Sequence, residues 1–141
     1  MSNDKVIAFY IRTANKGCKS MGIQKEQLEV YCKLYEIENY KFYIDDGYAD
    51  DNLERPALQK LIQDAKDKKI SQCIVYELSR FSRSARKTLH IISNLLIPNE
   101  VNVISLADSL DTSTPIGKFL IEAHMKNEVE KLEVLCQAIK R

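Results

Sequence analysis

The chain has no tryptophan, two histidines, three prolines and four glycines in 141 residues, and its net charge is only +1. Each shortage excludes something. With so little proline and glycine there is no low-complexity linker, and no internal repeat is present either. A charge balance near zero means that any nucleic-acid footprint must come from local patches, not from the chain as a whole. No apolar run approaches the roughly 18 residues of a membrane helix, so no membrane partner is expected. The opening MSNDKVIAF lacks a basic segment followed by an apolar one. No secretory signal is read there, and a cytoplasmic location is expected. The four cysteines, Cys18, Cys32, Cys73 and Cys136, include no C-x-x-C pair, and His90 and His124 lie far apart. Free buried thiols are therefore expected in place of a zinc site.

What is present is the composition of an ordinary globular domain, 45% hydrophobic and 29% charged. KVIAFYI (5–11) is apolar, β-branched and aromatic, and reads as a buried strand. MGIQKEQLEVYCKLYEI (21–37) sets Ile23, Gln27/Leu28, Tyr31, Leu34 and Tyr35 at helical spacing, with Ser20 as its cap. YKFYIDD (40–46) alternates as a second strand. The helix of 54–69 opens with Pro56 and aligns Leu58, Leu61, Ile62 and Ala65. Strands over 71–78 and 100–108 bracket a helix over 84–99 that Pro98 should stop. A long helix fills 112–141, starting near Thr114 and Pro115. Alternating strands and helices predict an α/β fold, a mostly parallel sheet with helices on both faces. The core is expected over 1–111 and the long helix over 112–141, in one domain and cut from a longer chain.

Functional residues of such sheets gather at the carboxyl ends of the strands. There, ELSRFSRSARK (77–87) crowds Arg80, Arg83, Arg86 and Lys87 together. Helical spacing would put Arg80, Arg83 and Lys87 on one face, and cations without nearby acids suit a phosphate. The plain alternative is a solvated basic helix start. In a parallel sheet, Arg12 and Arg55 would join Arg80 and Arg83 on one rim. Such a rim could stabilise charge developing on a phosphate. YIDDGYADDNLERP (43–56) holds five acids; it reads as a solvated loop turning at Gly47, with Mg²⁺ binding as the alternative. Along the last helix Ile116, Phe119, Leu120 and Ala123 form one apolar stripe. Met125, Val129, Leu132, Cys136 and Ile139 then follow a 4-3-4-3 spacing. That seam suits either a core helix or a dimer interface.

In this order, FYIRTA, SMGIQKEQLEVY, YIDDGYADDNLERPALQKLIQDA, IVYELSRFSRS and DTSTPIGKFLIEAHMKNEVEKL resemble the catalytic domain of serine recombinases, the resolvase/invertase family, and most of all the large serine recombinases and transposon integrases. The resemblance implies DNA as partner and a serine that attacks a DNA phosphate, giving a 5′-phosphoserine link and a free 3′-OH. It implies no metal or other cofactor, and strand exchange in a homo-oligomer, a dimer that becomes a tetramer on DNA. Carried over by motif, Arg12, Gln24, Arg55, Arg80, Arg83 and Glu130 match functional positions. Three positions depart from the pattern. Ala14 stands where the nucleophilic serine belongs, Ser79 replaces an aspartate, and Lys131 replaces an arginine. A methyl group cannot attack phosphorus, so this chain is expected to be inactive as written. Thr13, expected to point to the far side of the strand end, with Cys18 and Ser20, are the only neighbours that could substitute. Two further readings stay open. One is a non-catalytic regulator that binds DNA or an active recombinase through the long helix. The other is a small signalling or nucleotide-binding domain, disfavoured because Gly17 is the only glycine in the loop after the first strand.

Overall fold

The run VIAFYIRT forms β1 (Val6–Thr13) in the structure, a computed structural model that describes residues 5–15, 17, 19–48, 54–121 and 123. Side chains alternate along a strand, and here both faces are covered. Ala8 and Tyr10 enter one core; Phe9 and Ile11 enter the other. A strand buried on both faces must read as a continuous apolar run, and β1 does. Three strands lie parallel in one sheet with it: β2 (Tyr40–Asp46), β3 (Ile70–Val75) and β4 (Asn102–Ser105). A short β5 (Leu110–Asp111) pairs antiparallel with β4, and the order is β2-β1-β3-β4-β5. Helix α1 (Lys19–Leu34) packs Leu28 and Cys32 on the face of Phe9 and Ile11. Helices α2 (Pro56–Lys66) and α3 (Ala85–His90) cover the other face. The expected mostly parallel α/β sheet with helices on both faces is the fold found.

Several boundaries move for identifiable reasons. β3 stops at Val75, short of 78, because Leu78–Arg80 closes into a 3₁₀ turn. β4 is confined to 102–105, since Glu100 takes a left-handed conformation before it and residues 106–109 turn back into β5 after it. Two residues carry no periodicity, so β5 gave no sequence signal. The expected 84–99 helix is continuous but changes pitch. It is α-helical to His90, a π-helix over Ile91–Leu96 and a 3₁₀ turn over Ile97–Asn99, with Pro98 inside that closing turn. α1 begins at Lys19, so Ser20 lies within its first turn and is not its cap. Its buried ridge is Gln24, Leu28 and Cys32; Ile23, Leu34 and Tyr35 of the expected stripe are exposed. Only one side of α1 meets the sheet, and the i, i+4 ridge wins it.

The final helix is described over 115–121 and at 123. Thr114 caps it, accepting from the Gly117 amide at 3.0 Å. Gly117 is required by contact: a Cβ there would sit 1.8 Å from the Asp111 carbonyl oxygen. Of the expected apolar stripe, Ile116, Phe119 and Leu120 are exposed, while Ile121 joins the core. The seam residues Met125, Val129, Leu132, Cys136 and Ile139, together with Glu130 and Lys131, lie outside the described residues. Among the described residues no helix is long and apolar enough to cross a membrane.

Candidate functional site

β1 lies between β2 and β3, so the chain's winding reverses there and the carboxyl ends of β1 and β3 open a crevice. Arg12 stands at that end of β1, in phase with Ala8 and Tyr10. It is 4% exposed. Its Nε donates to the Arg80 carbonyl at 3.0 Å, its Nη2 to the Ser79 carbonyl at 3.0 Å and its Nη1 to the Tyr48 carbonyl at 3.1 Å. Arg55 arrives from the start of α2 and is fully buried. Its Nη1 donates to the same Arg80 carbonyl at 3.3 Å, its Nη2 donates to the Phe81 carbonyl, and its guanidinium carbon lies 5.8 Å from the Tyr10 ring centre. The loops of Arg12, Arg55 and Arg80 therefore do converge. Arg80 contributes its carbonyl, while its own guanidinium pairs with Glu77 at 2.7 Å.

That ion pair corrects the expectation of a cation cluster without acids. The shared helical face of Arg80, Arg83 and Lys87 is corrected as well. Residues 78–80 form a 3₁₀ turn, and α3 starts only at Ala85. Two serines interrupt the helix. Ser82 Oγ accepts from the Ser84 amide at 3.0 Å, and Ser84, in extended geometry, caps α3 by accepting from the Lys87 amide at 3.3 Å. Serine side chains compete with helix hydrogen bonds in this way. Arg83 and Arg86 are exposed and Lys87 is half-buried. Arg83 lines a groove of about 380 Å³ with Leu78, Ser79, Asp108, Leu110 and Leu120.

The acidic loop is not wholly solvated. Asp45 is 1% exposed and accepts three hydrogen bonds. They come from the Ala57 amide at 2.8 Å, the Leu58 amide at 3.0 Å and the Tyr10 hydroxyl at 2.7 Å. Arg55, the residue at the N-cap position of α2, makes no side-chain cap, so Asp45 caps that helix from another strand. Burial pushes the Tyr10 phenol far above its ordinary value, which keeps its proton in place for Asp45. Sequence reasoning missed both residues. The available signal was phase: Asp45 falls on the buried face of β2 with Tyr43.

Asp46 pins the end of β1. It accepts from the Thr13 hydroxyl and, at 3.1 Å, from the Gly17 amide. Thr13, in opposite phase to Arg12 along β1, is buried as well. Gln24 is buried on α1 and donates to the Arg12 carbonyl at 3.3 Å. Ala14 is exposed just past the end of β1, two residues beyond Arg12. Cys18 lies outside the described residues. Among the described residues, no three His, Cys, Asp or Glu side chains gather as a metal-binding group.

Comparison with known proteins gives this geometry a context. Residues 7–135 match the family described as Resolvase, N terminal domain. Over 98 residues the chain is 34% identical to a putative DNA recombinase of Bacillus subtilis; the match covers 68% of this chain and 18% of that protein. Over 73 residues it is 30% identical to uncharacterized immunity region protein 3 of Bacillus phage phi105, covering 49% of this chain and 89% of the phage protein. The solved N-terminal catalytic domain of TP901-1 integrase superimposes with a TM-score of 0.86 at 30% identity, over 92% of this chain and 98% of that one.

Proposed function

Since the chain belongs to the Resolvase N-terminal domain family, we propose that it is the catalytic-domain fold of a site-specific DNA recombinase that engages DNA without cutting it. What supports this reading is Ala14, exposed two residues past Arg12, at the position that the motif resemblance gives to the nucleophilic serine. In the family's reaction a serine oxygen bonds to phosphorus as the bond to the 3′ oxygen breaks. Alanine has no such oxygen, and the neighbouring Thr13 hydroxyl is buried and donates to Asp46. Arg83, Arg86 and Lys87 are the cations proposed to meet DNA phosphates, because Arg83 on the loop after β3 and Arg86 on α3 are exposed, with half-buried Lys87 next to Arg86. The test is a denaturing gel of the parent chain and of Ala14→Ser, each incubated with a random-sequence duplex pool. The parent should leave no protein attached to a 5′ DNA end, and the serine variant should leave some. An adduct with the parent refutes the inactive reading.

A second reading is favoured by the phage match. Nearly all of that phage protein is accounted for by a stretch of this fold. Such a domain could act as an accessory subunit, forming a dimer with itself or a mixed assembly with an active recombinase through residues 125–139. Titrating the chain into an active recombinase reaction distinguishes the two: an accessory subunit changes its rate, and a simple DNA competitor does so only at saturating protein.

A further inference from the structure

We propose that the outer ridge of α1 is a self-association surface, on which a second copy of this chain lays its own α1 in antiparallel order. Such pairing needs no DNA and does not rest on the reading above. Eight large hydrophobic side chains are exposed among the described residues. Four of them, Ile23, Val30, Leu34 and Tyr35, lie on α1 or directly after it, and are 51 to 73% exposed. Apolar surface gathered in one place marks an interaction site, as singly scattered residues do not. Along the helix, Ile23, Gln27, Val30 and Leu34 follow a 4-3-4 spacing, on a face apart from the buried ridge of Gln24, Leu28 and Cys32. Among the described residues, α1 is also the only helix on its side of the sheet. The rest of that core is strand residues with Ile37 and Leu106.

Spacing and charge together select the occupant. A seam of 4-3-4 spacing is matched by another of the same spacing, and a second α1 supplies one. In antiparallel order Ile23 meets Leu34 of the second copy and Val30 meets Gln27. The two Gln27 amides then come close to the twofold axis, where each can donate to the other. A single polar residue on a seam fixes its register at some cost in stability. Glu26 and Lys33 flank the seam on one side. Both are exposed, and neither forms an ion pair among the described residues. Antiparallel order sets Glu26 beside Lys33 of the second copy, and twofold symmetry makes that pair twice. Parallel order would set Glu26 beside Tyr31 of the second copy and bring no opposite charges together. A helix of 16 residues is about 24 Å long and 10 Å across. That is less than the roughly 800 Å² per partner of a standard interface, so the pairing is weak, with a dissociation constant of about 0.1–1 mM.

Sedimentation equilibrium of the unmodified chain, over about 10 μM to 1 mM, tests this without DNA. The average mass should climb with concentration across that range. Val30→Asp puts a charge at the middle of the seam and should weaken the association at least about tenfold. Glu26→Lys and Lys33→Glu should each weaken it about tenfold, since each turns two attractions into two repulsions. The two changes move the net charge in opposite directions, from +1 to +3 and from +1 to −1, so general repulsion between chains cannot account for both. The double variant, Glu26→Lys with Lys33→Glu, should restore the association of the unmodified chain. All three positions are exposed, so the variants should keep the fold, and circular dichroism checks it. A mass that does not change with concentration overturns the proposal. So does a climb that Val30→Asp leaves intact, which would place the association on another face, such as residues 125–139. Failure of the double variant to restore what the single changes remove overturns the antiparallel order.

Discussion

Replacing Asp45 with alanine should be among the most damaging changes available near the crevice, and its cost can be assembled from the structure. The carboxylate caps α2 through the Ala57 and Leu58 amides and accepts from Tyr10. Losing a helix cap costs about 1–2 kcal/mol. The Tyr10 hydroxyl, in a residue of 0% exposure, is then left without its acceptor. An orphaned buried hydroxyl costs about 1–3 kcal/mol. Together these give about 3 kcal/mol, or a melting temperature lower by about 10 °C in a domain of this size. Tyr10→Phe removes only the donor and leaves both amides on the carboxylate, so it should cost about 1 kcal/mol. The double variant is the sharper probe. It contains no orphaned hydroxyl and loses only the cap, so it should be about 2 kcal/mol more stable than the sum of the single changes predicts. Urea unfolding followed by circular dichroism measures all four proteins. If Asp45→Ala costs no more than Tyr10→Phe, Asp45 is not the cap; if the two changes add to within about 0.3 kcal/mol, the Tyr10 bond to Asp45 contributes nothing, and either result refutes the reasoning.

Three further outcomes are expected. Burial by itself would raise the Asp64 carboxyl, but hydrogen bonds from Tyr43 and Lys60 outweigh it and hold the group below its ordinary value. A depressed folded pKa stabilises the protein above the unfolded value of about 3.9, and that stability is lost as pH falls through the folded pKa. Melting temperature against pH should therefore drop less steeply below about pH 4 in Asp64→Asn than in the parent; parallel curves would refute the linkage. DNA binding, resting on phosphate contacts in a chain of net charge +1, should weaken steeply with salt, and affinity unchanged at high salt would remove the basic segment from the account. Leu132→Asp should shift the chain toward monomer in sedimentation if residues 125–139 form an interface, and an unchanged coefficient would exclude one there.

The sheet was legible because β1 and the second half of β3 are covered on both faces, so Val6–Ile11 and Cys73–Val75 read as apolar runs. The convergence of Arg12, Arg55 and Arg80 was legible for a related reason: parallel strands put their following loops at one edge. What the arginines do there was not legible. Their acceptors are carbonyls, and every residue has a carbonyl, so no side-chain pattern marks Tyr48, Ser79 or Phe81 as partners. Asp45 escaped because its cap is assembled across sequence, 12 and 13 residues from the amides it serves. The local rule that places a cap beside its helix sees only Arg55. The basic helical face over 80–87 failed for the opposite reason. Spacing alone suggested it, but Ser82 and Ser84 offered the backbone a competing set of bonds.

Folding bears very differently on residue 14 and on the two arginines. Ala14 is exposed, and a surface change from serine to alanine is ordinarily worth within about 0.5 kcal/mol. Arg12 and Arg55 are in a different position. Removing either takes donors from main-chain carbonyls of the partly buried turn over 78–81, and leaving the buried Phe81 carbonyl unpaired is the costlier loss. Folding therefore holds the arginines in place whether or not a phosphate is ever attacked, and it exerts no such hold on residue 14. In this chain the two arginines serve the fold in their own right.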